Sequence, residues 1–350
     1  MSQKYNIYGI GNALVDTEIK VEPEVLTELN LEKGVVTLLE NEEQLKKLEL
    51  HFKDAEQKQA SGGSAANTVI GANQMGATCY FSCKVADDQA GQFYLQDFEK
   101  NNIPTNLTTN NLPTDGKTGT CLVFITPDAD RTMAPYLGIS ATFAQSEINE
   151  DVLKQSDYLY IEGYLVTSET GKAAAIHARK IAEENDIKVA MTLSDPNMAK
   201  YFRDGLDEMI GDEGLDILFC NEDEALEYAQ TSTLEEALMF LAPVAEQIVV
   251  TLGERGAIIQ TDEEVFSIDA FDTKVIDTLG AGDCFAGAYL AGLTQGYSIQ
   301  HAGELANYAA SRIVSYFGPR LSDALVKDIN AFQEDLTSPQ NAFSALKELN

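Results

Sequence analysis

Short apolar runs recur along the chain, and most are followed by a stretch with helical spacing. Tyr5–Ile10 reads as a strand, and the small-residue segment 64–76 reads as a helix stopped by Gly76. A strand over 78–85 precedes a helix over 88–101. SDYLYIEG (156–163) leads into a helix over 169–185, and IKVAMTL (187–193) into one over 198–210. LDILFC (215–220) runs into a helix opening at Asn221, and QIVVTLG (247–253) follows. The short runs are rich in Ile, Val, Leu and Tyr, as strands buried on both faces of a parallel sheet are. Strand–helix alternation of this kind predicts a three-layer, Rossmann-like α/β core.

Two stretches break the rhythm. Residues 12–40 and 105–137 alternate in polarity and carry turns, with no good helix between their strands. TCLVFIT, a PDAD turn and RTMAPYL read as a hairpin. These strands are expected to meet as a small β lid. The core is then assigned to 1–11, 41–104 and 138–350, and the lid to 12–40 and 105–137. No internal repeat or low-complexity linker is visible.

Composition narrows the class. Of 350 residues, 44% are hydrophobic, which suffices for a large core and excludes disorder. Against 24 basic residues stand 56 acidic ones, a net charge of −32. Such a chain is a poor partner for nucleic acid or a membrane surface, both of which call for basic patches. No run nears the ~18 apolar residues of a membrane-spanning helix, and residues 1–10 read as a strand, not a signal peptide. Five scattered cysteines form neither a disulfide framework nor a zinc spacing. They read as reduced thiols in a cytoplasmic protein. His51, His177 and His301 share no metal spacing.

Two phosphate motifs fail on context. GIGNAL (9–14) has the first two glycines of a dinucleotide fingerprint, but Leu14 takes the third place and no helix follows. DGKT (115–118) mimics the end of a Walker A loop without its first glycine or its strand–loop–helix setting. DTLGAGDCFAGAYLAGL (277–293) is stronger. There a Gly-Ala-Gly turn opens a helix, whose N-terminus offers unpaired N–H groups to an anion. Asp283 lies in its first turn, as an acidic cap or as a catalytic base. SGGSAANT (61–68) sets two glycines before a helix start bearing Ser64, Asn67 and Thr68, either a capped turn or a ligand cradle. Asn221 and Glu224 share one helical face, as an N-cap with first-turn acids or as water-mediated Mg²⁺ ligands. Between Asp204 and Glu254 lie 14 acids and no base, which read as solvated helix faces.

Taken together, DTLGAGDCFAGAYLAGL, SGGSAANT, NEDE and TLGERG resemble, in order and spacing, the motifs of the ribokinase-like (PfkB) carbohydrate and nucleoside kinases. The resemblance runs from Gly9 to about Ser315. Within the family it is most similar to the adenosine kinase branch, through GNALVD (11–16), KTGTC (117–121), YIEGY (160–164) and LSDP (193–196). The resemblance implies a ribokinase-like fold and ATP-dependent phosphorylation of the 5′-hydroxyl of a nucleoside, adenosine first. A kinase for free ribose or fructose and a non-catalytic nucleoside sensor are the alternatives.

The same resemblance implies roles. Asp283 would take the hydroxyl proton, with Gly280, Ala281 and Gly282 as the anion hole. Asp16 and Asn67, with the Gly63 backbone, would hold the ribose hydroxyls, Asn12, Ser64 and Leu137 would also line the substrate site, and Tyr164, Leu165 and Tyr201 occupy the positions suited to sandwiching a purine. Arg131 would meet phosphate from the lid. Thr251, Gly253, Gly256 and Asn307 would line the ATP site, where Asn221 and Glu224 order Mg²⁺ through water. A monovalent cation such as K⁺ would sit near Asp277. The partner is a small nucleoside or sugar, and the protein a monomer or homodimer.

Overall fold

The computed structural model describes residues 4–128 and 130–336. Among them twelve strands form two sheets. Their ranges are β1 Tyr5–Ile10, β2 Leu14–Lys20, β3 Gln57–Gly62, β4 Cys79–Ser82, β5 Gly119–Ile125 and β6 Arg131–Tyr136. The rest are β7 Ser156–Glu162, β8 Lys188–Thr192, β9 Leu215–Asn221, β10 Ala245–Thr251, β11 Ala257–Thr261 and β12 Val265–Ile268. The large sheet runs β12-β11-β10-β9-β8-β7-β1-β4. It is parallel from β10 to β4, and an antiparallel β11–β12 pair extends its other edge.

Successive side chains of a strand point to opposite faces, and both faces here are covered. Ile7, Phe81, Tyr160, Phe219 and Val249 pack under helices Ser64–Gln74, Ala281–Thr294 and Ile299–Ile313. Their neighbours Tyr8, Tyr80, Ile161, Leu218 and Val250 pack against Glu169–Glu184, Arg203–Ile210 and Glu222–Ala229. This is the expected three-layer core with a ribokinase-like fold.

The small sheet, ordered β3-β2-β5-β6, is the expected second element, and β5 and β6 make the expected hairpin. Its membership corrects the sequence boundaries. β3 lies in the span assigned to the core, yet it pairs with β2 from Leu14↔Gly62 to Ile19↔Gln57. Helix Glu42–His51 packs Leu45 and Leu48 on the same sheet, against Leu122 and Phe124. A short helix, Pro23–Glu28, interrupts the stretch expected to be all strand, with Pro23 at its first position where the missing N–H costs nothing. The helix expected over 198–210 is two, Pro196–Tyr201 and Arg203–Ile210, divided at Phe202. The strand expected over 78–85 is only β4.

Candidate active site

The site forms at the carboxyl ends of the parallel strands, where open α/β sheets bind ligands. Two helices of small residues meet there. A Cβ on Gly287 would lie 2.5 Å from the Thr68 carbonyl oxygen and 3.0 Å from the Ala72 amide. Backbone-to-backbone approach of helices Ser64–Gln74 and Ala281–Thr294 thus requires glycine at 287, and it brings their N-termini together. Ser64 Oγ donates to Asp283 Oδ1 at 2.6 Å, and Asn67 Nδ2 donates to Oδ2 at 2.8 Å. Burial raises the Asp283 pKa, while those two donors and the Arg320 charge oppose the shift. The other oxygen of Asn67, Oδ1, is buried and has no hydrogen-bond partner among the described residues.

Gly280 adopts φ +73° as the cap of the Asp283 helix. No hydrogen bond among the described residues takes up the N–H of Gly280, Gly282 or Asp283. Ala281 departs from the expected triplet because its N–H donates to the Thr278 carbonyl at 3.2 Å. Gly63 has φ +100°, and a Cβ there would overlap the Asn12 carbonyl oxygen. The Asp16 carboxyl packs on Gly62 so closely that no Cβ fits between them. Burial pushes the Asp16 pKa up to about 7 against the pull of Arg320.

Asn12 is anchored within the protein by its donors. Its backbone N–H and Nδ2 donate to Glu162 Oε1 at 3.1 and 3.0 Å, so its side-chain donor is engaged within the protein. Glu162 Oε2 accepts the Ala65 N–H at 2.9 Å. Its pKa is pushed up to about 7 by burial. Tyr164, in the turn after β7, is half-buried, and its phenol pKa is raised by burial with Asp195, Glu162, Glu224 and Asp283 around it. Leu137 is half-buried where the chain leaves β6. Tyr201 remains 68% exposed at the end of its short helix. The structure therefore brings Tyr164 to the site and leaves Tyr201 outside it.

A cavity of about 680 Å³ opens beside Asp283 and is lined by Asn221, Glu224, Thr251, Gly253, Gly256 and Asn307 among others. Gly256 has φ +87°. Asn307 Nδ2 is anchored to the Ile268 and Asp269 carbonyls at 3.0 and 3.1 Å. Asn221 and Glu224 form a reciprocal capping box: Glu224 accepts the Asn221 N–H at 3.1 Å and Nδ2 at 2.7 Å, and donates its own N–H to Asn221 Oδ1 at 2.8 Å. Burial, with Asp195, Asp283 and Asp223 nearby, pushes the Glu224 pKa to about 7. Among the described residues no group of three His, Cys, Asp or Glu is placed for direct metal ligation. A buried carboxylate among acids, with spare lone pairs, fits a hydrated Mg²⁺ held mainly by phosphate oxygens.

Two cationic side chains complete the picture. Arg131 extends from β6 to the core. Its Nη2 pairs with Asp277 Oδ2, and its Nη1 lies 3.3 Å from Glu18 Oε1. Asp277 also accepts the Leu279 N–H at 3.0 Å and the Gly318 N–H at 2.6 Å. Asp277 therefore faces a guanidinium and two amides, and this arrangement gives no support to a monovalent cation there. Arg320 lies outside every motif of the sequence. It donates to Ser61 Oγ at 2.9 Å, to the Ser61 carbonyl, and to the Ala66 carbonyl at 3.3 Å. Glu162 was visible in YIEGY without a role of its own.

A family model described as "pfkB family carbohydrate kinase" matches residues 34–325. The crystal structure of adenosine kinase from Sinorhizobium meliloti is 32% identical, covers 94% of this chain and 99% of its own, and has a TM-score of 0.85. A probable sugar kinase from Rhizobium etli is 30% identical, covers 95% and 99%, and has a TM-score of 0.86. The 5-dehydro-2-deoxygluconokinase 2 of Bacillus cereus is 30% identical over 290 residues, 78% of this chain and 85% of that protein.

Proposed function

The chain belongs to the pfkB family of carbohydrate kinases, and on that footing we propose that it transfers the γ-phosphoryl of ATP to the 5′-hydroxyl of a nucleoside, adenosine first. The observation that carries this reading is the Asp283 carboxylate, held by Ser64 and Asn67 at a helix N-terminus beside a large cavity. Asp283 accepts the hydroxyl proton as the 5′ oxygen attacks phosphorus. The bond from the γ-phosphorus to the β–γ bridging oxygen breaks, and ADP leaves with that electron pair. The free N–H groups of Gly280 and Gly282 meet the charge that develops on the transferred group. No covalent enzyme intermediate is needed, because positioning and electrostatics suffice for this reaction class.

On the acceptor side, Asp16, the Asn67 Oδ1 and the Gly63 backbone hold the ribose diol, with Leu137 and Tyr164 towards the base. Thr251, Gly253, Gly256 and Asn307 surround ATP. Mg²⁺ would be ordered through water by Asn221 and Glu224, neutralising phosphate charge. The likeness to the Sinorhizobium adenosine kinase, 32% identical over almost the whole chain, supports the nucleoside as acceptor.

A second reading, a kinase for a free sugar, has its own support. Tyr201 is exposed, which removes one expected wall of a base site, and the Bacillus relative is named for a sugar acid derivative. A panel of nucleosides and free sugars with Mg·ATP decides between them. Formation of a 5′-monophosphate from adenosine is the expected result. Phosphorylation of ribose or fructose but not adenosine overturns the nucleoside reading, and no ATP-dependent product from any acceptor overturns the kinase assignment in favour of a sensor.

A further inference from the structure

We propose that Arg320 is a positioning residue for phosphoryl transfer: its guanidinium grips the Gly62-Gly63 turn on both flanks and so fixes Asp16 relative to Asp283. The inference rests on the acceptor and base roles given to those two carboxylates above.

Two consecutive glycines have the widest conformational freedom of any dipeptide, yet both are required. At Gly62 the Asp16 carboxyl leaves no room for a Cβ, and at Gly63 the positive φ and the Asn12 carbonyl exclude one. The residues that hold Asp283, Ser64 and Asn67, follow directly. Any slackness in this turn would therefore move the acceptor-side carboxylate and the base independently.

Arg320 spans that turn. Nη2 donates to the Ser61 carbonyl and to Ser61 Oγ on one side, and Nη1 to the Ala66 carbonyl on the other. Ser61 Oγ in turn donates to Asp97. A planar guanidinium with fixed donor directions can hold such a fork, whereas a lysine ammonium cannot. The Nε atom is shut off from solvent with no partner among the described residues. Solvation therefore does not explain the placement, since an unpaired buried donor is costly.

Arg320 is itself well fixed. The preceding Gly318 N–H binds Asp277 at 2.6 Å, and a Cβ on Gly280 would lie 2.8 Å from Pro319. Three successive residues thus touch Asp277, the glycine of the anion-binding turn, and the two residues, Ser61 and Ala66, that flank the glycine pair of the acceptor turn. The guanidinium also supplies countercharge. Asp16 faces Arg320, Arg131, Glu18 and Asp283, with Cys121 and Tyr94 alongside. Asp283 faces Arg320, Asp16, Glu162 and Glu224, with Tyr160, Tyr164 and Cys284 alongside. Removing Arg320 leaves acids in the majority around both, so each would take up its proton at higher pH.

The test uses the full chain with Arg320→Gln and Arg320→Lys, assayed with the acceptor that the panel identifies. Values of kcat and KM for acceptor and ATP are measured across pH, beside thermal melting. R320Q is expected to lower kcat by about 100-fold, the scale of a misplacement near 1 Å, and to move the acid limb of the rate profile to higher pH. R320K is expected to keep the wild-type acid limb and recover only part of kcat. A folded R320Q with wild-type kcat, or one whose loss comes without movement of the acid limb, overturns the proposal in favour of a plain structural brace. If R320Q does not fold, R320K decides: reduced kcat at an unmoved acid limb supports the proposal, and wild-type kcat overturns it. Asp283→Asn separates the two levels. An active D283N defeats the base assignment and this inference together, whereas an inactive D283N beside a fully active R320Q defeats this inference alone.

Discussion

Ser64 Oγ and Asp283 Oδ1 lie 2.6 Å apart although 219 residues separate them in the chain. The contact exists because Gly287 lets two helix backbones touch, so the N-terminus of one can orient the first-turn acid of the other. If Asp283 is the base, D283N should lower kcat by about 10²–10⁴-fold with little change in acceptor Kd. Ser64→Ala leaves the carboxylate in place with one donor fewer and should cost about tenfold in kcat. Steady-state rates with acceptor binding measured by calorimetry check both. Near-wild-type turnover in D283N would exclude the base role.

The sequence made the Asp283 contact half visible. Periodicity and strand composition disclosed the alternating core, and the glycine clusters at 61–68 and 277–293 marked the two helix starts. Which helices touch depends on packing between small residues, and small-residue helices look alike in one dimension. β3 falls outside the expected lid because QKQASG is polar over its first three residues and carries no strand pattern without β2 beside it. Glu162 and Arg320 carried no signal of their own. A lone acid at a strand end and a lone arginine after Gly-Pro gain meaning only from partners more than ninety residues away.

Glu162 gives a pH-dependent prediction. It is 1% exposed and titrates near 7, against 4.5 for an ordinary glutamate. Because the folded pKa is raised, the native state holds the extra proton between those values. The stability this contributes is fully present below about 4.5 and is lost as pH rises through about 7. Glu162→Gln removes that titration and also turns an amide NH₂ towards the Asn12 or Ala65 donors, costing about 1–3 kcal/mol. The melting temperature of E162Q should therefore trail wild type most at pH 5 and least at pH 8. Asp16 and Glu224 titrate in both proteins and cancel in the difference, whereas Asp283 faces Glu162 and contributes to it as a coupled group. A gap that stays constant across this range would refute the assignment.

Arg131 ties the small sheet to the core through Asp277, whose side chain is 1% exposed. Deleting one partner of a buried pair is worse than deleting both, because a buried charge is left behind. Arg131→Gln should destabilise by about 3 kcal/mol and speed amide exchange in β6. Adding Asp277→Asn should recover part of that loss, since the two changes share one interaction. Exchange mass spectrometry with denaturant melts of the two single variants and the double checks this. Additive losses, or unchanged exchange in β6, would show that the pair does not hold the sheets together.

The surface acidity makes a separate claim about salt. Of the 14 acids between Asp204 and Glu254, Glu224 alone is buried, and none of the rest has a basic neighbour within that segment. Most sit on helices Arg203–Ile210, Glu222–Ala229 and Leu234–Leu241 and the turns beside them, while Asp216 and Glu246 lie on β9 and β10. Like charges at such density repel one another in the compact state. Raising ionic strength from 0.1 M to 1 M shortens the screening length from about 10 Å to about 3 Å, which should relieve most of that repulsion. The melting temperature should thus rise with sodium chloride, and more than it rises for a variant with Glu235, Glu236 and Asp212 changed to their amides. Burial at the Asp283 site is beyond the reach of such screening, so the acid limb of the rate profile should move less than stability does. A melting temperature indifferent to salt would mean that the acidic faces carry no net strain.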